Sequence, residues 1–588
     1  MTASPRPAAL VDVLCDLGVL TAAEWHTAEA VCRLEAERDE QVRLGVALTV
    51  RAVRHGHVCL ELDRLVARGL VDDDGLPVEG TLPEIGAWVE RLASSAAVRV
   101  PGEDRVAPLV LDGRRLYLDR YWRHEQRLAD GLLDALGALD DRDPAAVEGV
   151  LDRLFDGREG TDGQREAARR VTRRRLVVLT GGPGTGKTTT VVRMLAVLAA
   201  TAPGGIPLRM VLAAPTGKAA ARMAEAVRDD VDGLGIDDAV AGHLRRVEAS
   251  TLHRLLGWNP GRPTRFRHDA SNPLPHEVVV VDEASMVSLP LMARLVDALG
   301  PSTRLVLVGD RDQLTSIDAG AVLADVAAGG RTVDGHVHLT HTFRFGSASG
   351  IFEVARAVEQ GESDAVIGSL DGRHDDVRRV DGSGDQLDAD VWARIVARAR
   401  SLQDLARSGA DPSDVLTAAD AFRVLAPLRR GPHGVDTLNR RIAAALDDRT
   451  DRLGPHPVGT PLIVTRNDHV QRLYNGDVGV VVTDPTRGSG VVAFWAPGGG
   501  VRLVAASRLP PHEPVHAMSV HRSQGSQFDE VVVVLPRVDT PLLTRELVYT
   551  AITRARRDAT IHGDPDILRG AIERRVQRAS GLRERLQA

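Results

Sequence analysis

The stretch VVLTGGPGTGKTTTVVRML, residues 177–195, constrains the fold of this chain more than any other segment. An apolar run leads into a glycine-rich turn, and a helical pattern follows without a break. Gly181 through Thr188 match G-x-x-x-x-G-K-[ST], in which backbone N–H groups and a helix N-terminus hold nucleotide phosphates. The chain must therefore contain a strand, a phosphate-binding loop and a helix in that order, as in α/β folds.

Sequence patterns also indicate how the rest of the chain is organised. From Leu176 onward, short β-branched runs alternate with helical segments, and a second such set begins after residue 421. Continuous apolar strands are typical of parallel sheets covered on both faces, so we predict two α/β lobes. Between them, closely spaced strands with Gly, Pro and Asp turns indicate a small β-barrel, and the polar stretch 369–388 is expected to be a loop. The predicted domains are a mostly helical N-terminal domain (1–140), a first lobe (141–345), a second lobe (346–455 and 515–588) and the inserted barrel (456–514).

The residue types of the phosphate loop have separate roles. A compact ammonium such as that of Lys187 fits between phosphate oxygens, and the Thr188 hydroxyl suits a Mg²⁺ ion. We therefore expect ATP and Mg²⁺ as cofactors. The loop residues expected to bind the nucleotide are Gly181, Gly182, Pro183, Gly184, Thr185, Gly186, Lys187, Thr188 and Thr189.

A second buried-strand pattern, VVVVDEASM at 278–286, supplies acidic partners for this loop. A carboxylate at the carboxyl end of such a strand can join the Mg²⁺ shell, and a neighbouring carboxylate can activate water. We expect Asp282 to bind the metal ion together with Thr188. Glu283 is then the expected general base.

Three polar residues farther along are expected to respond to the γ-phosphate. Gln313 follows the strand pattern LVLVGD, where a neutral amide can couple loss of that phosphate to movement. Arg344 follows the last strand pattern of the first lobe, and Arg554 lies in the second lobe. An arginine that reaches a phosphate from another lobe stabilises transition-state charge. The predicted catalytic set is Lys187, Asp282, Glu283, Gln313, Arg344 and Arg554.

Composition narrows the classes of function. The net charge is −7, so any nucleic-acid contact must be a local channel rather than a chain-wide field. No apolar run reaches the roughly 18 residues of a membrane span, and Asp12 and Asp16 interrupt the apolar N-terminal stretch, so we expect a cytoplasmic protein. Lys187 and Lys218 are the only lysines among 74 basic residues, which makes both candidates for phosphate contacts.

The ordered motifs over about 164–560 resemble a superfamily 1 helicase. GQREAAR, which contains Gln164, is similar to that family's adenine-reading glutamine motif. APTGKAAARM (214–223) and STLHRLLG (250–257) resemble motifs Ia and Ib, which line the single-stranded DNA track in that family. MSVHRSQGSQFDEVVVVLP (518–536) resembles motif V, and the segment around Arg554 resembles motif VI.

This resemblance implies two RecA-like lobes, an SH3-like barrel and further contacts. Two positions depart from the family pattern, since Arg522 stands where Lys is frequent and Gln527 where Glu is frequent. Gln527 keeps hydrogen bonding but lacks the anion. The additional nucleotide contacts implied are Gln164, Gly525 and Gln527. The DNA contacts implied are Pro215, Thr216, Lys218, Thr251, His253, Asn467, Asn475, His521 and Ser523.

Within the superfamily, DEASMV, GDRDQLTSIDAG and RNDHVQRLYNGDVGVV resemble the RecD family, the alpha subunits of exodeoxyribonuclease V (RecBCD). This resemblance implies an ATP-dependent 5′→3′ DNA helicase that processes double-strand break ends for recombinational repair. It implies single-stranded and duplex DNA ends as ligands. It also implies a heterotrimer with a RecB-like nuclease-helicase and a RecC-like subunit, without a membrane partner.

Other interpretations stay open at this point. The chain could be a stand-alone RecD-like helicase, a scaffold with a silent ATP site, or an RNA motor. The polar segment 259–276 is a candidate strand-separating pin, with a disordered loop as the alternative. No spaced carboxylate cluster with a lysine is visible, so we predict that the chain alone lacks nuclease activity.

Overall fold

The computed structural model describes residues 14–72, 77–78, 82–137, 139, 142–259, 261–262, 265–316, 318–343, 349–382, 386–446, 456–468, 470–483, 490–496 and 500–587. Helices and strands are numbered below in chain order. No helix in these ranges is both long and apolar enough to cross a membrane.

The N-terminal domain packs helices around a small sheet with the order β1-β6-β5-β4. An Asp-Gly turn joins β5 to β6, with Gly113 at φ +62° and Asp112 paired to Arg115. The strands β1–β4 have two or three residues, which is too short to show an alternating pattern. The helices are α1 (Ala22–Leu34), α2 (Glu40–Arg54), α3 (Leu62–Arg68), α4 (Ile85–Ser94) and α5 (Asp119–Asp134). The strands are β1 (Cys59–Glu61), β2 (Leu70–Val71), β3 (Pro77–Val78), β4 (Val98–Arg99), β5 (Leu109–Asp112) and β6 (Arg115–Leu118).

The first lobe is built on a six-stranded parallel sheet with the order β12-β7-β11-β10-β8-β9. Its four central strands, β7, β8, β10 and β11, are buried along their whole length because both faces are covered. Leu176 and Val178 of β7 belong to one core cluster, and Val177 and Leu179 belong to the other. The strands are β7 (Leu176–Gly181), β8 (Met210–Ala214), β9 (Glu248–Thr251), β10 (Val278–Val281), β11 (Arg304–Gly309) and β12 (His336–Leu339). The helices are α6 (Pro144–Phe155), α7 (Asp162–Arg173), α8 (Lys187–Ala200), α9 (Gly217–Val231), α10 (Asp238–Leu244), α11 (Leu252–Leu255), α12 (Leu289–Asp297) and α13 (Val322–Ala328).

The second lobe has a five-stranded parallel sheet with the order β13-β22-β21-β14-β20, which confirms the second α/β unit. The expected loop 369–388 is wrong in part, because β13 lies within it and forms the sheet edge. Its arginine-rich sequence hides the strand, and Arg378 pairs with Asp558 of β22 at 3.1 Å. The strands are β13 (Val377–Val380), β14 (Phe422–Ala426), β20 (Ala517–Ser519), β21 (Phe528–Val534) and β22 (Ala555–His562). The helices are α14 (Gly350–Gln360), α15 (Ser363–Leu370), α16 (Ala389–Arg407), α17 (Pro412–Ala421), α18 (Val435–Leu446), α19 (Arg545–Ile552) and α20 (Pro565–Glu573).

An antiparallel five-stranded sheet, with the order β18-β17-β16-β15-β19, is inserted before β20. Val480 and Val482 pack on one side with residues of α16 and α17, whereas Val481 packs on the other side. The predicted β insertion is thus confirmed, and its closure as an SH3-like barrel stays a prediction. The strands are β15 (Pro461–Val464), β16 (Val478–Thr483), β17 (Gly490–Trp495), β18 (Val501–Ala505) and β19 (His512–Pro514).

Residues 575–587, which we call the C-terminal strap, follow helix α20 of the second lobe and cross to the N-terminal domain. The strap contains helix α21 (Leu582–Gln587), which packs against α5 and α13. The N–H of Val58 donates to Ala579 O at 2.8 Å, and the N–H of Ala579 donates to His57 Nδ1 at 2.9 Å. The strap therefore connects all three large parts of the molecule.

A fully buried carboxylate, Glu125 on α5, anchors the strap. Its oxygens accept hydrogen bonds from the Ser580 hydroxyl at 3.0 Å, the Gly581 N–H at 2.9 Å and Arg585 Nε at 3.0 Å. The hydroxyl of Tyr117, within the N-terminal domain, donates to it at 3.1 Å. A buried carboxylate is stable only when it is satisfied in this way.

Candidate nucleotide site and interlobe cleft

The phosphate loop lies where β7 ends and α8 begins. Gly184 and Gly186 have φ values of +80° and +79°, which a side chain would strain, so the two glycines permit the turn. The ammonium of Lys187 donates to the carbonyl oxygens of Gly181 and Gly182, at 2.6 and 2.9 Å. The loop thus curls around the lysine head at the N-terminus of α8.

Two predicted acids lie beside this loop because β10 and β7 both flank β11 in the sheet. Burial, and then the neighbouring charge of Glu283, raise the pKa of Asp282 to about 7, while the charge of Lys187 opposes this shift. Glu283 has φ +50° and ψ +39°, a left-handed conformation that is strained for a side-chain-bearing residue. The strand end thus presents two adjacent carboxylates near the ammonium of Lys187, a set of hard oxygen ligands.

Asp310, at the end of β11, joins the two lobes. Its carboxylate accepts from Gln313 Nε2 at 2.9 Å and from the hydroxyl of Tyr549 at 3.1 Å. Burial raises the pKa values of both Asp310 and Tyr549. The N–H of Leu314 also donates to the hydroxyl of Thr550, at 3.0 Å. Our sequence interpretation included Gln313 but missed Tyr549, whose signal is a lone tyrosine in the apolar helix before Arg554.

The two predicted arginines have different outcomes. Arg554 is buried at the cleft, and its guanidinium donates to the carbonyl oxygens of Thr550 at 3.1 Å and Ser526 at 3.2 Å. Burial lowers its pKa, and the charges of Glu283 and Asp310 counteract this shift. Arg344 lies outside the described residues, so its role stays a prediction.

Lys218 lies at a second contact between the lobes. Its ammonium donates to the hydroxyl of Ser526 at 3.0 Å, and burial lowers its pKa to about 8. Arg222, one turn along α9, donates to the carbonyl of Gly525. The ring of Tyr474, from the inserted β domain, lies next to Gly217. Motif Ia, motif V and the inserted domain therefore meet at Lys218.

Most of the other residues expected to contact DNA lie near this contact or on surface loops. Thr216 and Thr251 cap helices by accepting from Ala219 N–H at 3.2 Å and Arg254 N–H at 3.3 Å. Pro215 precedes the first of these caps, and His253 is exposed beside the rings of Trp258 and Phe266.

Four further expected residues are distributed between exposed and buried positions. Asn467 and Asn475 are exposed and joined, since the N–H of Asn475 donates to Asn467 Oδ1 at 2.8 Å. His521 is half-buried, and burial lowers its pKa. Ser523 is buried, and its hydroxyl donates to Val520 O at 2.7 Å. These nucleic-acid contacts all stay predictions.

The remaining expected nucleotide contacts lie on two sides of the cleft. Gln164 is buried behind the phosphate loop, and its Nε2 donates to Thr185 O at 3.3 Å. Gly525, at φ +70°, and the half-buried Gln527 lie on the second lobe. Pro183, Thr188 and Thr189 are half-buried within the loop and the first turn of α8.

Three family models match this chain: a RecBCD enzyme subunit RecD N-terminal domain over residues 16–117, an AAA domain over 164–319 and a UvrD-like helicase C-terminal domain over 514–561. The protein named RecBCD enzyme subunit RecD from Mycobacterium tuberculosis (strain ATCC 25618 / H37Rv) is 46% identical over 581 residues, 97% of this chain and 96% of its own. This chain belongs to the RecD family. The RecD-family member of Mycolicibacterium smegmatis is 44% identical, over 97% of this chain and 98% of its own.

Family membership confirms the resemblance predicted from the motifs, and it extends beyond the motor to the N-terminal domain. The ATP-dependent RecD2 DNA helicase of Deinococcus radiodurans is 32% identical, over 81% of this chain and 59% of its own length. Among solved structures, a Pif1 helicase from Bacteroides in complex with ADP-AlF3 and ssDNA aligns with a TM-score of 0.36 and 18% identity. That alignment covers 66% of this chain and 88% of the other.

Proposed function

We propose that this RecD-family chain is an ATP-dependent DNA helicase that moves 5′ to 3′ along single-stranded DNA. One observation carries the proposal: the second lobe contacts both candidate sites of the first. Tyr549 reaches Asp310 beside the phosphate loop, and Ser526 accepts a hydrogen bond from Lys218 on the candidate DNA face. A change in lobe spacing driven by the nucleotide would therefore alter the contacts around Lys218.

The phosphate loop has the donors that a triphosphate needs. The ammonium of Lys187 would exchange its carbonyl partners for phosphate oxygens, where the attraction is between opposite charges. Thr188 and Asp282 would hold Mg²⁺, because a hydroxyl and a carboxylate are the hard oxygen ligands that this ion prefers. When bound, the ion supplies charge neutralisation on the phosphates. The raised pKa of Asp282 fits this role, since a buried carboxylate beside Glu283 favours a cation.

Hydrolysis would then use groups from both lobes. Glu283 would accept a proton from the attacking water as a general base. Gln313, held by Asp310, would register the γ-phosphate, and Arg554 and Arg344 would stabilise charge that develops on it. The guanidinium of Arg554 feels the charges of both Glu283 and Asp310, and this position supports the assignment.

Each cycle of closing and opening would move the strand past the lobes. Separating a base pair costs on the order of 1.4 kcal/mol of stacking per step, which is a modest load for one ATP. The described part of segment 259–276 stays our candidate pin. Its base is held by packing, because Leu274 is buried and its N–H donates to Ala298 O at 2.8 Å.

We propose that the chain acts in a heterotrimer with RecB-like and RecC-like subunits at broken DNA ends. Two of its relatives are named as subunits of a RecBCD enzyme, which supports the partnership. The similarity to the Deinococcus RecD2 helicase supports an alternative, a stand-alone helicase. The match of the N-terminal domain to the RecD subunit model favours the complex. Affinity purification of the native chain distinguishes the complex from the stand-alone helicase, because only a subunit of the complex would co-purify with two large partners.

The test of the motor function uses duplexes with a 5′ or a 3′ single-stranded tail. We expect ATP-dependent unwinding of the 5′-tailed duplex, and ATP turnover that rises with single-stranded DNA but not with RNA. Lys187→Gln should abolish both activities while single-stranded DNA still binds. Unwinding only of the 3′-tailed duplex would contradict the direction, and turnover unaffected by DNA would contradict the motor function.

A further inference from the structure

Arg193, in the second turn of α8, is a buried cation that the proposed mechanism does not use. Its side chain is only 3% exposed. Within the described part of the chain it has no carboxylate partner. Its NH1 donates to Gln164 Oε1 at 2.6 Å, and its guanidinium lies 4.8 Å from the ring centre of Phe155. A buried charge held by a neutral amide and a ring is costly, which indicates a role beyond packing.

The partners of Gln164 determine which way its amide faces. A guanidinium can only donate hydrogen bonds, so Arg193 selects the oxygen end of the amide. The carbonyl of Thr185 can only accept, so it selects the nitrogen end, at 3.3 Å. Without Arg193 the amide could rotate by half a turn and place its oxygen against that of Thr185.

This amide in turn sets the direction of a backbone N–H in the phosphate loop. In a trans peptide the C=O and the next N–H point in opposite directions. Because Gln164 holds Thr185 C=O toward α7, the N–H of Gly186 faces away from α7. The neighbouring peptide is held in the same way, since the N–H of Phe343 donates to Gly184 O at 2.8 Å. Successive N–H groups on the opposite side form a concave anion site.

We propose that Arg193 is a positioning residue for nucleotide binding. It fixes the amide of Gln164, and through it the peptide that joins Thr185 to Gly186, so that the loop N–H groups face the phosphates. The inference rests on the proposed ATP-dependent function. It assigns to Gln164 an action on the phosphates that is independent of the base, in addition to the base reading that the helicase resemblance implies.

The central experiment compares ATP with inorganic tripolyphosphate, which has the phosphates and no base. For Arg193→Met we expect the KM for ATP and the inhibition constant for tripolyphosphate to rise by the same factor, about tenfold, with kcat within about twofold. Arg193→Lys keeps a donor for the amide oxygen and should restore most of the affinity.

Arg423→Met is the matched control for loss of a buried arginine. Arg423 is also buried, stacks on a ring (Phe528, 5.1 Å) and donates to backbone carbonyls, but it lies in the second lobe. We expect the inhibition constant for tripolyphosphate to be unchanged in this variant. An unchanged tripolyphosphate constant in Arg193→Met, with ATP binding weakened or intact, would overturn the inference.

Gln164→Glu separates stability from positioning. A carboxylate would pair with Arg193 and raise the melting temperature, but it would also put a second acceptor against Thr185 O. We expect higher stability together with weaker ATP and tripolyphosphate binding, a combination that a purely structural role does not produce. Higher stability with unchanged binding would overturn the inference. Failure of the wild-type chain to bind ATP would instead contradict the proposed function.

Discussion

The hydroxyl of Tyr549, on the second lobe, lies 3.1 Å from a carboxylate oxygen of Asp310, on the first. The same hydroxyl would lie 3.1 Å from a Cβ at Gly182, so it also borders the phosphate loop. Because the hydroxyl is buried, it must donate to an acceptor, and Asp310 is that acceptor. A single side chain of the second lobe therefore contacts two nucleotide-binding segments of the first.

Replacing this tyrosine by phenylalanine should uncouple the lobes. In Tyr549→Phe we expect DNA-stimulated kcat to fall about tenfold, because the cross-lobe hydrogen bond is lost, while unfolding free energy falls by only about 1 kcal/mol. Steady-state ATPase assays and denaturant unfolding measure the two effects. Tyr117→Phe is the control, since it removes an equally long buried hydrogen bond, to Glu125. Equal effects of the two variants on kcat would contradict the prediction.

Glu283→Gln should separate binding of ATP from its hydrolysis. The amide keeps the size of the side chain but cannot accept a proton from water, so we expect single-turnover hydrolysis to slow by about a hundredfold or more. ATP affinity, measured by equilibrium binding, should stay within a few-fold. Glu277→Gln, just before the same strand, is the matched control and should hydrolyse ATP normally. Hydrolysis at the wild-type rate in Glu283→Gln would exclude Glu283 as the base.

Lys218 should contribute one phosphate contact to DNA binding. In Lys218→Met we expect about tenfold weaker binding of single-stranded DNA and a salt slope shallower by about 0.7, the value for one phosphate on a single strand. Burial lowers the pKa of Lys218 to about 8. The difference in DNA affinity between the wild type and Lys218→Met should therefore become smaller as the pH rises through 8. Fluorescence anisotropy at several salt concentrations measures both. Arg228→Gln, later on the same helix, is the control, and an equal loss there would contradict a specific role.

His57 should make the strap sensitive to acid. Burial, and then the charge of Arg578, lower the pKa of His57 to about 4, so the folded chain needs the neutral imidazole that accepts from Ala579 N–H. The contribution of the neutral His57 imidazole to the free energy of unfolding is complete above the pKa of an unfolded histidine, about 6.5, and is lost as the pH falls toward 4. At pH 5 the loss amounts to about 2 kcal/mol.

His57→Asn keeps an acceptor that does not titrate. Denaturant unfolding at pH 7 and pH 5 should show a smaller decrease in this variant than in the wild type. His26→Asn, at an exposed histidine, should follow the wild-type pH dependence. If His57→Asn follows it too, the strap contact is not the acid-sensitive element.

The features that were predicted best from the sequence are those determined by a short run of consecutive residues. The phosphate loop, the acids after β10 and both parallel sheets follow from apolar runs that end in polar residues, because a strand buried on both faces leaves a strong local pattern. That pattern disappears where a strand is as short as β4, or where its centre consists of half-buried arginines, as in β13.

The features that could not be predicted depend on contacts between distant segments. Nothing near Arg193 indicates that its guanidinium meets an amide 29 residues earlier. Tyr549 acquires its role only because the lobes bring it to Asp310, 239 residues away. The path of the strap likewise depends on a buried carboxylate that no periodicity reveals. These roles arise from tertiary packing, which local patterns do not encode.

The strap also determines how this molecule can be divided for engineering. Glu125 and its donor Ser580 are 455 residues apart. The packing of the N-terminal domain is therefore completed by residues that follow both motor lobes in the sequence. A chimera that joins the first 135 residues of this chain to the motor of a relative would leave the buried Glu125 without the three donors of its own strap, Ser580, Gly581 and Arg585. Transplants between relatives should therefore carry both pieces, the leading domain and the strap, as one cassette.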